Sequence, residues 1–177
     1  MIDTPRAGDL PPGLAATGPA ESVGFTLSQL GLETSRRFGE VVGTLGLEPR
    51  QFALLRAVHN AEGQSQQVIG EYLQIPASTM VAIVDHLEAD GLLERRLHAS
   101  DRRTRTLHLT ARGSSLLADA MTLAMRLEER LSAGLEPPER DQLLALLRRV
   151  AANLDLSLVG AAGRGSGATV ESVPADE

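Results

Sequence analysis

Residues 92–113 read LLERRLHASDRRTRTLHLTARG, and this stretch decides the fold. Leu107 and Leu109 alternate with polar neighbours, the period of a half-buried strand. Residues 92–97 and 104–109 are therefore read as two strands joined at a tip formed by residues 99–103. From Leu92 to Arg112 six arginines stand against Glu94 and Asp101, a local charge of +4 in a chain whose net charge is −6. All 17 basic residues are arginine, the side chain whose planar fork matches phosphate oxygens and narrow grooves. The local footprint outweighs the acidic total as a guide to partners.

Upstream of the hairpin the pattern is helical. Met80, Ile83, Val84 and Leu87 recur at i, i+3, i+4 and i+7, which makes residues 76–90 an amphipathic helix that Gly91 ends. Its outward face is then Ala77, Ser78, Thr79, Ala82, Asp85 and His86. Ser65 opens a shorter helix to residue 73, with Val68, Ile69 and Tyr72 on one side, and Gln74-Ile75 form the turn before Pro76. Pro49 suits the first turn of a helix over 49–60, whose apolar side is Phe52, Leu54, Leu55 and Val58. The first helix, over 22–44, carries Phe25, Leu30, Phe38 and Val42 but also Gly24, Gly31, Gly39 and Gly43. Each glycine costs about 0.5–1 kcal/mol against alanine, so packing must hold this helix.

Downstream, Thr110 caps a helix reaching about residue 133 with Leu116, Ala120, Leu123, Leu127 and Leu131 on one stripe. Pro137 and Pro138 open a last helix with Leu143, Leu147, Val150 and Leu154 on another. Two long apolar stripes without a partner in so small a domain imply a second subunit. The expectation is a homodimer held by the first, fifth and sixth helices.

The expected organisation is a disordered arm over 1–21, one domain over 22–158 and a disordered tail over 159–177. The arm is rich in proline and glycine, and the tail holds too few apolar groups to offset ordering entropy. Absence of cysteine excludes disulfides and thiolate chemistry. No secretory signal or apolar span of about 20 residues occurs, so the expected location is the cytoplasm, without a membrane partner. His59, His86, His98 and His108 lack neighbouring ligands at metal spacing. No spaced nucleophile and base, glycine-rich phosphate loop or carboxylate pair is present, so neither an enzyme nor a cofactor is expected.

A short helix, a tight turn, a second helix and an arginine-rich hairpin suit duplex DNA, because a helix fits the major groove and a hairpin arginine the minor groove. A two-fold dimer would read an inverted repeat. Ser78 and Thr79 serve as groove contacts or as helix caps, and His86 as a phosphate contact or a solvated side chain. The alternative function is a module of the same shape used for protein–protein interaction, with weak or no DNA binding.

Asp101-Arg102-Arg103 with Leu109-Thr110 and Gly113 fits the signature D-x-R-x5-L-T-x-x-G at full spacing. With Ile83-Val84-Asp85-His86-Leu87-Glu88, Gly91-Leu92-Leu93-Glu94-Arg95, Leu45-Gly46-Leu47 and Gln51-Phe52-Ala53-Leu54-Leu55, the chain resembles the MarR (multiple-antibiotic-resistance) regulators over residues 22–156. The resemblance implies a mainly α winged helix-turn-helix with a two-stranded β wing, in a dimeric repressor released by a small ligand. It further implies that Arg103 enters the minor groove, oriented by Asp101, and that residues 76–90 form the recognition helix. Val81 and Ala82 stand where the family commonly carries arginine or another polar residue, and from Pro76 to Gly91 the charge is −3. Base readout then falls to Ser78 and Thr79, with Ala77 or Ala82 against a thymine methyl, while Arg102 and Arg105 join Arg103 in holding the DNA. The family's small-molecule pocket would be lined by Phe25, Phe38, Phe52 and His59, with Arg36 or Arg37 facing an anionic, aromatic effector. The other reading of these residues is core aromatics and solvated arginines.

Overall fold

Named side chains and prolines start most of the helices. In the computed structural model, which describes residues 22–97 and 105–156, Ser22 caps α1 (Val23–Gly43) and Ser65 caps α3 (Gln66–Leu73). Thr110 caps α5 (Ala111–Leu131), its Oγ1 accepting from the Gly113 N–H at 2.9 Å. Pro49 opens α2 (Pro49–Asn60) and Pro137 opens α6 (Pro137–Asn153), each behind a glutamate that forms a capping box. Pro76 precedes α4 (Ala77–Ala89) and offers no side-chain cap. Ser78 and Thr79 lie inside this helix rather than at its cap, so the capping role is not theirs.

The strands are β1 (Leu93–Leu97) and β2 (Arg105–Leu109), antiparallel with Leu93 opposite Leu109 and Leu97 opposite Arg105. The hairpin tip, with Asp101, Arg102 and Arg103, lies outside the described residues, as do the expected arm and tail. A third segment completes the wing: Gly63 N–H donates to Leu107 O at 3.2 Å and Leu107 N–H to Gln64 O at 2.9 Å. Ser65 bridges Thr106, so β2 lies between β1 and the loop that enters α3.

The core is contributed by Val42 of α1, Leu54, Leu55 and Val58 of α2, Ile69 of α3 and Met80, Val84 and Leu87 of α4. Leu93, Leu107 and Leu117 close it from the wing and α5. On α3 the burial differs from the sequence grouping: Ile69 and Gly70 are buried, while Val68 and Tyr72 are exposed. The buried side of so short a helix is taken by Gly70, against which Met80 packs at 3.4 Å from the site a Cβ would occupy.

One glycine fixes the junction between wing and helices. A Cβ on Gly113 would sit 1.9 Å from the Leu92 carbonyl oxygen, so α5 and the α4–β1 turn pack at a distance only glycine allows. Thr110 joins the same parts, donating from Oγ1 to Gly91 O at 2.7 Å.

Among the described residues the remaining apolar surface has no cover. Val42 is the sole fully buried residue of α1, and Val23, Phe25, Leu30 and Leu32 are each more than a third exposed. The same is true of Leu143, Leu144, Leu146, Leu147 and Leu154 on or next to α6. Among the described residues no element packs extensively along α6, and Arg140 ties it to Glu128 of α5 at 3.1 Å.

Candidate nucleic-acid interface

Burying Met80, Val84 and Leu87 turns the opposite face of α4 outward. Ala77, Ser78, Ala82, Asp85 and His86 are exposed and Thr79 is half-buried. No hydrogen bond among the described residues engages the Ser78 or Thr79 hydroxyl, so both donors and acceptors remain available to a ligand. Arg105, at the start of β2, is exposed.

The wing is anchored by a polar chain that crosses three elements. His108, with its side chain 16% exposed, places Nδ1 3.1 Å from Glu62 Oε1 and Nε2 2.9 Å from the buried Thr106 hydroxyl. Thr106 also donates to Arg96 O at 3.3 Å. Wing strands and the α2–α3 loop are thereby held as one unit.

Not every arginine in the basic stretch is free for DNA. Arg95 is paired with Glu88 and, at 2.5 Å, with Asp85, both on α4, and its guanidinium also donates to Gln66 at 3.3 Å. Burial opposes its charge, but these two carboxylates outweigh that effect and hold its pKa above the ordinary arginine value. Arg96 is engaged by Glu94, and Arg112 donates to Asp90 O at 2.9 Å. The local +4 therefore overstates the cation available.

The residues expected to hold an effector are only partly brought together. Phe38 and Phe52 meet edge to face, with ring centroids 5.2 Å apart. On one side of the pair lies a cavity of about 370 Å³ lined by Thr34, Met121, Met125 and Leu131. A second of about 370 Å³ lies towards Pro49, Tyr72 and Leu73. Arg56 borders both and forms no ion pair among the described residues. Phe25 and His59 are exposed and line neither cavity. Arg36 lines a separate polar recess and is taken by Glu33 and Glu40 on its own helix, which raises its pKa above the usual arginine range. Arg37 also pairs with Glu33, at 2.6 Å. Arg56 is the cation that the sequence reading missed, although its place one turn after Phe52 was a usable signal. Among the described residues no cluster of three metal-ligating side chains occurs, and no helix is long and apolar enough to cross a membrane.

A helix-turn-helix whose second helix presents a bare outer face beside a β hairpin defines the winged helix-turn-helix class. The sequence profile of the MarR family matches residues 45–104. A Thauera aromatica protein, named as a candidate transcriptional regulatory protein for the hcr operon, is 32% identical over 132 residues, 74% of this chain and 80% of that one. The transcriptional repressor CouR, solved bound to a 23-mer DNA duplex, is 34% identical with a TM-score of 0.68, covering 76% of this chain and 98% of that one. CouR bound to p-coumaroyl-CoA matches with a TM-score of 0.65, at 34% identity, covering 76% of this chain and 96% of that one. The chain belongs to the MarR family of transcription regulators.

Proposed function

We propose that two copies of this chain form a two-fold dimer through α1, α5 and α6 and repress transcription by holding an inverted-repeat duplex. Each copy lays α4 in the major groove, where Ser78 and Thr79 read base edges, Ala77 or Ala82 meets a thymine methyl and His86 reaches the backbone. Arg103 enters the minor groove under the control of Asp101, with Arg102 and Arg105 on phosphates. The observation that carries this reading is the outward polar face of α4, with two unengaged hydroxyls in its first turn, rigidly joined to the wing. The domain over 22–158 does this work in the cytoplasm and performs no catalysis, with the segments 1–21 and 159–177 outside it.

Release follows from a small anionic ligand with an aromatic or acyl body. Phe38 and Phe52 supply the apolar wall between α1 and α2, and Arg56 supplies the counter-charge, in place of Arg36. The assignment is supported by the two adjoining cavities and by a guanidinium at their border that pairs with no acid among the described residues. A ligand wedged there alters the angle between α1 and α2, and through α2 the spacing of the two wings.

A protein-binding role is favoured by one observation, the charge of −3 from Pro76 to Gly91. Salt separates the two readings. Two phosphate-bound wing arginines from each of two copies give a slope of log K against log salt of about −4, since each phosphate neutralised contributes about −0.9. A titration of labelled duplex between about 50 and 200 mM salt measures it. A flat response with weak retention would set the DNA reading aside.

A further inference from the structure

The recognition helix presents a contradiction of charge. From Pro76 to Gly91 there is no Lys or Arg, while Asp85 stands on the outward face between Ala82 and His86. An anionic helix entering a groove lined by phosphates is repelled within the roughly 8–10 Å over which salt does not screen.

We propose that Arg95, reaching over from the wing strand, is the counter-cation of this helix, masking Asp85 and Glu88 so that α4 can face a phosphate backbone. The inference rests on the DNA-binding reading above. The geometry is that of a positioned mask rather than a DNA contact: the Arg95 side chain is 15% exposed, against 59% for Asp85. Its guanidinium binds Asp85 Oδ1 at 2.5 Å, Gln66 Oε1 at 3.3 Å and one oxygen of Glu88. The Arg95 backbone N–H holds the second Glu88 oxygen at 3.2 Å. Both carboxylates are thus drawn back towards β1, and Gln66 of α3 supplies the third acceptor that fixes the fork. A lysine would carry the same charge but lacks the planar fork that meets these acceptors in a fixed geometry. The wing therefore supplies the cation that the recognition helix lacks, and wing and helix act as one electrostatic unit. Asp90, the remaining acid, lies 3.5 Å from His86 Nε2.

The test is a double-mutant cycle on a labelled duplex recovered by the wild-type chain from genomic fragments. Affinity is measured across salt for wild type, Arg95→Met, Asp85→Asn/Glu88→Gln and the triple variant, with thermal melting to follow the fold. Arg95→Met should bind about tenfold more weakly at low salt, with the deficit shrinking as salt screens the exposed carboxylates. Neutralising Asp85 and Glu88 should recover that loss in the Arg95→Met background, yet change affinity by less than about twofold where Arg95 is present. Additive effects, or a loss that neutralisation does not recover, would overturn the proposal and make Arg95 a direct or purely structural group. If Arg95→Met fails to fold, Arg95→Gln carries the same cycle, since it removes the charge while keeping a polar side chain in place. Wild type recovering no duplex would instead refute the DNA reading on which the inference rests.

Discussion

Gly113→Ala is the substitution whose consequence the structure fixes most tightly. In an ordinary helix interior it would stabilise by about 0.5–1 kcal/mol. Here the added methyl would lie 1.9 Å from Leu92 O and 2.8 Å from the Leu92 carbonyl carbon, both backbone atoms. Ordinary contact begins at 3.4 Å, so α5 and the α4–β1 turn must separate by about 1.5 Å. The carbonyl cannot retreat alone, because Leu92 is buried, its N–H donates to Leu87 O at 2.9 Å and its oxygen accepts from Thr110 N–H at 3.2 Å. Overpacking of about 1–3 kcal/mol, with one or two hydrogen bonds of about 1 kcal/mol each, leaves a net loss of about 2–4 kcal/mol. For a domain of this size that lowers Tm by roughly 10 °C. Calorimetry of both proteins at one fixed concentration provides the comparison, since a dimer's Tm depends on concentration. An unchanged or raised Tm would refute the close approach of α5 to the wing, and with it the rigid link between helices and hairpin.

Ser78→Ala and Thr79→Ala should lower the ratio of specific to non-specific affinity while leaving the salt slope nearly unchanged, whereas Arg105→Ala should flatten that slope by up to about one unit per copy. Competition with random duplex measures the ratio, and a wild-type ratio in both hydroxyl variants would remove α4 as the reader. Equilibrium sedimentation should give twice the 18.8 kDa chain mass, and Leu147→Glu should shift it towards the monomer; a monomeric wild type with full DNA affinity would defeat the two-fold argument. The Glu33 carboxyl, hydrogen-bonded first by Arg36 and then by Arg37, is lowered from 4.5 to about 2. Because the folded value lies below the unfolded one, its contribution is complete above pH 4.5 and fades as pH falls towards 2. An NMR titration placing Glu33 at the ordinary glutamate value would show that the two arginines do not hold it.

The elements were legible where a single residue punctuates the chain. Pro49 and Pro137 open α2 and α6, Ser65 and Thr110 cap α3 and α5, and Gly91, with φ +68°, ends the recognition helix. The i, i+3, i+4, i+7 run from Met80 also named the buried face of α4 correctly, since a helix with one core-facing stripe leaves its other side in water. What the sequence concealed is partnership between elements. Counting charge treats Arg95 and Arg105 alike, yet one is clamped by acids seven and ten positions back on another helix and the other is exposed. The His108–Glu62 contact spans 46 positions and leaves no periodic trace. Arg36 was different: Glu33 and Glu40 stand three and four residues away on the same helix, so its neutralisation could have been read from spacing.

The central claim is that two copies of the winged unit read a symmetric duplex. Its most direct measurement is selection of genomic DNA fragments by the purified full-length chain, followed by sequencing of what is retained. The account predicts enrichment of a few sites sharing an inverted repeat whose half-sites lie about one helical turn, roughly 34–36 Å, apart. Retention of fragments without a shared two-fold motif, or no retention above background at low salt, would contradict it.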